Sequence, residues 1–248
     1  MAKPIAVQLY TVRDALAQGY ESVIRKIASF GYQGVEPAGF PGTTPQAAAS
    51  LFKELGLQVP SLHSALPLGD DRDSVLETAR ILGVKYLVCP YIPTEDFVSV
   101  ESTIAACNRL NEANKVARDN GLTLLYHNHW WEYEPLGDTY PYKVMVEHLD
   151  PTIGFEVDTY WVKTGGQDPV AVISELGSRV ALLHIKDGSA TKGDPMVAVG
   201  EGSMDFPPIL EAGQSAEWLI VELDDCATDM LTAVETSYKN LEKLASVN

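Results

Sequence analysis

The chain has 248 residues, 46% of them apolar and 21% charged, with 19 Gly and 15 Pro, which excludes a low-complexity, collagen-like or disordered protein. Its 18 Lys and Arg stand against 34 Asp and Glu, and the net charge of −16 repels phosphate backbones and anionic membrane surfaces. Three widely spaced cysteines, Cys89, Cys107 and Cys226, predict a reducing compartment rather than a disulfide framework.

The opening MAKPIAVQLYTVRD has no long apolar stretch and carries Arg13 and Asp14 early, so no signal peptide is expected. No run reaches the roughly eighteen apolar residues of a membrane span. The expectation is a cytoplasmic protein with neither membrane nor nucleic acid as partner.

In chain order, short apolar runs bounded by Gly, Pro or Asp fall at 5–10 (IAVQLY), 34–37 (GVEP), 59–64 (VPSLHS) and 86–91 (YLVCPY). Four more follow at 122–129 (LTLLYHNH), 153–158 (IGFEVD), 180–187 (VALLHIKD) and 218–223 (WLIVEL). Runs of this length read as strands of a buried parallel sheet. Helical spacing fills the gaps. Segment 71–82 aligns Val75, Ala79, Ile81 and Leu82, and segment 95–119 aligns Phe97, Val98, Ile104, Ala105, Leu110 and Ala113 before a stop at Gly121. A last helix near 228–245 carries Leu231, Val234, Tyr238, Leu241 and Leu244, and Gly31, Gly56 and Gly83 stand where left-handed caps are needed.

Strand–helix units at roughly thirty-residue intervals, with no linker between them, predict one α/β domain over 1–248, a (β/α)8 TIM barrel. An open doubly wound sheet fits less well, because no glycine-rich phosphate fingerprint follows the first strand.

A barrel carries its active site at the C-terminal strand ends. Those ends read Gln8 and Tyr10, Glu36, His63, Cys89, His127 and His129, Asp158, His184 and Glu222. Alternation puts Leu125, His127 and His129 on one face, Leu182, His184 and Lys186 on another, and Trp218, Ile220 and Glu222 on a third. Asp158, His184 and Glu222 end three consecutive strands and converge on one rim. Such a cluster without a cation is costly, and a divalent metal, Mn2+, Mg2+, Co2+ or Zn2+, is the expected cofactor.

These residues carry a resemblance. Motifs GYQGVEP (31–37), LHSA (62–65), YHNHWWEYEP (126–135), FEVDTYWVKTGGQDP (155–169), LLHIKDG (182–188), VGEGSMDF (199–206) and LIVELDD (219–225) follow one another as in the xylose isomerase-like TIM barrels. The chain is similar to the sugar phosphate isomerase/epimerase group of that family. The resemblance implies a metal held by Glu, Asp, His and Glu from strands 5 to 8. Asp158, His184 and Glu222 match the last three. His127 stands at the first, so either its imidazole replaces the carboxylate or the ion keeps three protein ligands and water. Glu132 matches the second catalytic Glu of ketose 3-epimerases, whereas Trp161 replaces their histidine. Related barrels pair through helix faces, which makes a homodimer the expected assembly.

The chemistry implied is proton abstraction next to a carbonyl of a sugar or keto-sugar, with Glu132 and Glu222 as the acid–base pair. Glu36, His63 and Lys186 are expected to hold substrate hydroxyls, and Trp161, with Trp130, Trp131 and Tyr133, to face the C–H side of the ring. Gly200 and Gly202 in VGEGSMDF offer backbone amides to a substrate phosphate, or form an ordinary loop. Three other readings stay open: a keto-sugar dehydratase or carbon–oxygen lyase on the same site, a catalytically silent sugar-binding barrel, and a trinuclear-zinc endonuclease, which the net charge opposes.

Overall fold

The computed structural model describes residues 3–246. Eight parallel strands form it: β1 (Ile5–Gln8), β2 (Gly34–Glu36), β3 (Ser61–His63), β4 (Tyr86–Cys89), β5 (Thr123–His127), β6 (Gly154–Asp158), β7 (Val180–Ile185) and β8 (Trp218–Val221). They alternate with helices α1 (Arg13–Phe30), α2 (Pro45–Leu55), α3 (Arg72–Leu82), α4 (Val100–Asp119), α5 (Pro141–His148), α6 (Thr159–Thr164), α7 (Pro169–Leu176), α8 (Phe206–Ala212) and α9 (Met230–Ser246). The strand order β2-β1-β8-β7-β6-β5-β4-β3 is that of a (β/α)8 barrel. No helix among the described residues is long and apolar enough to cross a membrane.

The barrel closes at the β2/β3 seam by fewer bonds than elsewhere. An isolated parallel bridge joins Gly34 to Gln58. Val35 N–H donates to Gln58 O (2.9 Å), and His63 N–H donates to Pro37 O (3.0 Å). The second bond holds the ends of β2 and β3 together, which matters for the residues above them.

Every predicted run contains its strand, but all the strands except β6 stop earlier than their runs. Tyr10 lies in a 3-10 turn, 44% exposed, and His129 lies beyond the end of β5. Gly31, Gly56 and Gly83 close α1, α2 and α3 with positive φ. Over 95–119 the helix begins only at Val100, because Ser99 accepts from Ser102 N–H and the two form a reciprocal cap. Phe97 and Val98 precede it, and Val98 is 71% exposed.

Alternation sorts the barrel interior into levels. Ala6, Tyr86, Val88, Leu125, Leu182, Trp218 and Ile220 make an apolar plug inside the barrel, and a larger apolar core lies between strands and helices. The residues one step further along the same inward faces are Gln8, Glu36, His63, His127, Glu156, His184 and Glu222, all buried. Cys89 has the opposite parity. It packs in the outer core with its thiol toward Tyr91 O, so β4 contributes no polar group to the mouth.

Trp218 fills the base of the plug because Gly34 leaves room for it. A Cβ at Gly34 would lie 2.8 Å from the Trp218 ring and 2.9 Å from Gln58 O, at the seam itself. Gly34→Val is therefore expected to cost about 2 kcal/mol, read as a lower urea midpoint with an unchanged denaturant slope.

Candidate active site

Strand register builds the site. Cα partners across the ladder are Gln8 with Glu36, His127 with Glu156, and Asp158 with His184. The last pairing depends on an irregularity in the β6/β7 ladder, where Phe155 pairs with Val180 but Glu156 pairs with Leu182. The skipped residue is Ala181, an extra residue in β7, and it sets Asp158 level with His184 instead of Leu183.

The ends of these strands converge. His184 is the centre: its Nδ1 lies 2.7 Å from Glu222 Oε2, and its Nε2 lies 2.8 Å from Glu36 Oε2 and 3.1 Å from Glu156 Oε2. His63 Nε2 lies 2.6 Å from Glu156 Oε2 and 3.3 Å from Glu36 Oε2. His127 turns Nδ1 toward Glu156 (3.2 Å) and Nε2 toward Asp158 (3.9 Å). Two quartets with ligand atoms within 4.8 Å of one another result. One is His127, Asp158, His184 and Glu222; the deeper one is His63, His127, Glu156 and His184. The three residues expected from β6, β7 and β8, and His127 with them, are thus in one place.

Local bonds aim the key oxygens. Asp158 Oδ1 caps α6 by accepting from Trp161 N–H (2.8 Å), which leaves Oδ2 without a hydrogen-bond partner and turned to the cluster. Asn128, between the two histidines of the His-Asn-His run, donates to Asp158 O (3.1 Å) and accepts from Asp158 N–H (3.0 Å), clamping β5 to β6.

Lys186 also enters this cluster. Its buried ammonium lies 3.0 Å from Asp158 Oδ2, 2.8 Å from Glu222 Oε2 and 2.7 Å from Asp224 Oδ2, and it covers the Trp161 ring at 5.1 Å. The donor set nevertheless fits a divalent ion, since two imidazoles and two carboxylates of mixed hardness face one another and Asp158 Oδ2 accepts no hydrogen bond. A bound ion would compete with the ammonium for the same two oxygens, and Asp224 gives Lys186 a third anion.

Protonation follows burial and charge. Burial pushes His127 down to about 3, so its imidazole is neutral and free to ligate. Burial opposes charge on His184 too, but Glu156 and Glu222 outweigh it and hold the ring well above the usual histidine value. Burial likewise disfavours Glu222 as an anion, yet Lys186 and His184 keep it well below the carboxylate range. Asp158 is pushed by burial up to about 6 against the pull of Lys186.

Four of the sequence-predicted residues lie outside the quartets: Lys186 and Trp161, described above, and Glu132 and Glu36. Glu132 is buried behind β5, where one oxygen accepts from the Tyr126 hydroxyl and the other from His129 N–H (2.9 Å). Glu36 lies beneath His184, bonded to it and to Gln8 Nε2 (2.7 Å). Conversely, Glu156 was not singled out by its sequence, although it sits two residues before Asp158 on the same inward face. Around the rim, His129 stacks on Trp131 (4.3 Å, 6°), Trp130 contacts Trp161 (4.8 Å), and Tyr91 stands edge-on to Trp131, 52% exposed.

Burial pushes the Glu132 carboxyl up to about 7 from its ordinary 4.5. A group with its folded pKa raised this way contributes stability that is complete below its unfolded pKa and lost as pH climbs through the folded one. Glu132→Gln is expected to flatten the fall in unfolding free energy between about pH 5 and pH 7, measured by chemical denaturation of both proteins across that window.

Comparison with known proteins agrees with this architecture. An inosose dehydratase of Clostridium tetani is 26% identical over 135 residues, which cover 46% of this chain and 45% of that protein, so the match spans under half of the relative's length. A sugar phosphate isomerase/epimerase structure from Parabacteroides distasonis superposes with a TM-score of 0.82 at 23% identity, over 98% of this chain and 94% of that one. An L-ribulose 3-epimerase superposes at 0.71 with 16% identity, over 100% and 95%. At these identities the structures share the fold alone. The family profile of the xylose isomerase-like TIM barrels matches residues 24–243, and the chain belongs to that family.

Proposed function

We propose that this chain is a metal-dependent sugar isomerase or epimerase, moving a proton at the carbon next to the carbonyl of a sugar or keto-sugar. The observation that carries this reading is the quartet His127, Asp158, His184 and Glu222, buried at the barrel mouth with Asp158 Oδ2 turned into it, without a hydrogen bond and paired only with the Lys186 ammonium. These four residues would hold Mn2+, Mg2+, Co2+ or Zn2+. When bound, the ion would supply Lewis-acid stabilisation of negative charge developing on the substrate.

The chain's own groups supply the rest. Glu222 is the candidate base, kept ionised by Lys186 and His184 at 2.8 and 2.7 Å. Lys186 stays charged, and its ammonium, held among Asp158, Glu222 and Asp224, sets positive charge beside the oxygen that gains negative charge. His63, at the edge of the cluster, donates to a substrate hydroxyl. Glu36, bonded to His184 and Gln8, orients the imidazole as a positioning residue. Glu132, bonded to His129 N–H and Tyr126, takes part through the loop that carries His129 and the aromatic rim. Trp161 lines the sugar's apolar face beside Lys186.

The likeness to inosose dehydratase favours a second reading, loss of water from a keto-sugar. It begins with the same proton abstraction and adds protonation of the departing hydroxyl, for which Lys186 is the charged donor.

The test is incubation of metal-loaded protein with a panel of free sugars and keto-sugars in deuterated water. Label uptake without loss of water identifies an isomerase or epimerase, and loss of water identifies a dehydratase. No exchange with any member, in protein carrying one divalent ion per chain, defeats both. Glu222→Gln is expected to lower the exchange rate by about 10²–10⁴-fold. Asp158→Asn is expected to weaken Mn2+ binding about tenfold or more, read by metal titration without turnover.

A further inference from the structure

A second set of ligand atoms lies deeper in the barrel than Asp158 and Glu222. His63, His127, Glu156 and His184 are all buried, the most open being His63 at 8%. Three imidazole nitrogens converge there on one oxygen. Glu156 Oε2 lies 2.6 Å from His63 Nε2, 3.1 Å from His184 Nε2 and 3.2 Å from His127 Nδ1. The rings fan around it: His63 stacks on His184 (5.3 Å, 9°), and His127 is inclined to them at 58° and 62°, with centroids 5.2 and 4.6 Å away.

Polar atoms without a hydrogen bond collect at this depth. They are His127 Nδ1, Glu156 Oε1, Glu36 Oε1 and, one inward step below His63 on β3, Ser61 Oγ. Buried groups left this way are rare and costly. His127 Nδ1 is aimed at Glu156 Oε2, into the set. Glu36 Oε2 borders it, 2.8 Å from His184 Nε2 and 3.3 Å from His63 Nε2.

Charge separates the two levels. Asp158 and Glu222 already have the Lys186 ammonium, whereas among the described residues Glu36 and Glu156 pair only with imidazoles. Two buried carboxylates with no fixed cation match one dication. The donors differ as well. Three imidazoles and one carboxylate suit tetrahedral Zn2+, and the two carboxylates above suit a harder ion such as Mn2+. Bonds of about 2.0–2.1 Å set tetrahedral ligand atoms about 3.3 Å apart, so the tightest contact, His63 to Glu156 at 2.6 Å, has to open by roughly 0.7 Å.

The two levels compete, because a neutral imidazole has one lone pair to give. His127 turns Nδ1 down to Glu156 and Nε2 up toward Asp158 (3.9 Å). His184 turns Nε2 down to Glu156 and Nδ1 up to Glu222 (2.7 Å). An ion below takes the lone pair of both rings and leaves N–H groups facing the upper carboxylates.

We propose that His63, His127, Glu156 and His184 form a second divalent-cation seat, selective for Zn2+, and that an ion there excludes one from the quartet of His127, Asp158, His184 and Glu222. His63 meets this ion through Nε2 and keeps Nδ1 for a substrate hydroxyl. The exclusion rests on the upper quartet holding an ion, as proposed above; the Zn2+ seat does not.

The test is metal binding without turnover. Metal-stripped wild-type protein is titrated with Zn2+ and with Mn2+, and X-ray absorption of the Zn2+-loaded protein counts the imidazoles around the ion. Expected are one Zn2+ per chain, a shell of three imidazole nitrogens with one oxygen, and no Mn2+ uptake once Zn2+ is in place. His63→Ala is expected to weaken Zn2+ binding about tenfold or more and to leave Mn2+ binding nearly unchanged, and Asp158→Asn to do the reverse. Should His63→Ala not fold, the absorption measurement on wild type decides. The seat is overturned by absence of Zn2+ uptake, by a shell of two imidazoles, or by Zn2+ affinity that falls in Asp158→Asn and not in His63→Ala. Zn2+ and Mn2+ bound together overturn the exclusion. Three imidazoles around Zn2+ in a protein that takes no Mn2+ support this seat and remove the upper one.

Discussion

Buried negative charge has to be compensated, and this requirement governs the mouth of the barrel. Glu36, Glu156, Asp158 and Glu222 all lie out of contact with solvent. An isolated buried carboxylate is expensive, and one left without a partner is worse. Each of the four therefore faces a nitrogen: His63, His127 and His184 on the inner side, Lys186 on the outer side. The two faces of His184 carry this compensation across the barrel axis, one nitrogen toward Glu222 and the other toward Glu36 and Glu156. The arrangement is cation-hungry without being open. A divalent ion held there would add to positive charge the protein already supplies, so its binding would be coupled to the Lys186 ammonium.

Much of this was legible in the residue order, for a simple reason. A parallel strand buried on both faces is a short apolar run, and a polar residue at its end is out of place unless it serves a site. That logic brought Asp158, His184 and Glu222 together before any coordinates. Glu156 escapes that logic because Asp158 already marks the polar end of its run, although a period of two makes Glu156 as inward as Asp158. The same period argued against Cys89, whose neighbour Val88 holds the inward place.

What could not be read is anything that depends on which way a loop turns. Glu132 follows β5 by a few residues, and nothing in that spacing says whether it folds over the mouth or behind the strand. The Tyr126 hydroxyl, on the outer face of β5, draws it behind. Asp187 and Lys186 are adjacent, so they point to opposite sides; the lysine goes to the cluster and the aspartate to its own loop. The glycines around Asp187 looked like a cradle for a ligand, and they are a cradle for a side chain.

The skipped residue in the β6/β7 ladder has a consequence for strand length. Asp158 and His184 are level only because Glu156 steps from Val180's neighbour to Leu182. One residue gained or lost between 153 and 158 would rotate the aspartate out of the barrel and bring Val157's place inward. The lengths of these two strands thus fix the site as firmly as the side chains they carry.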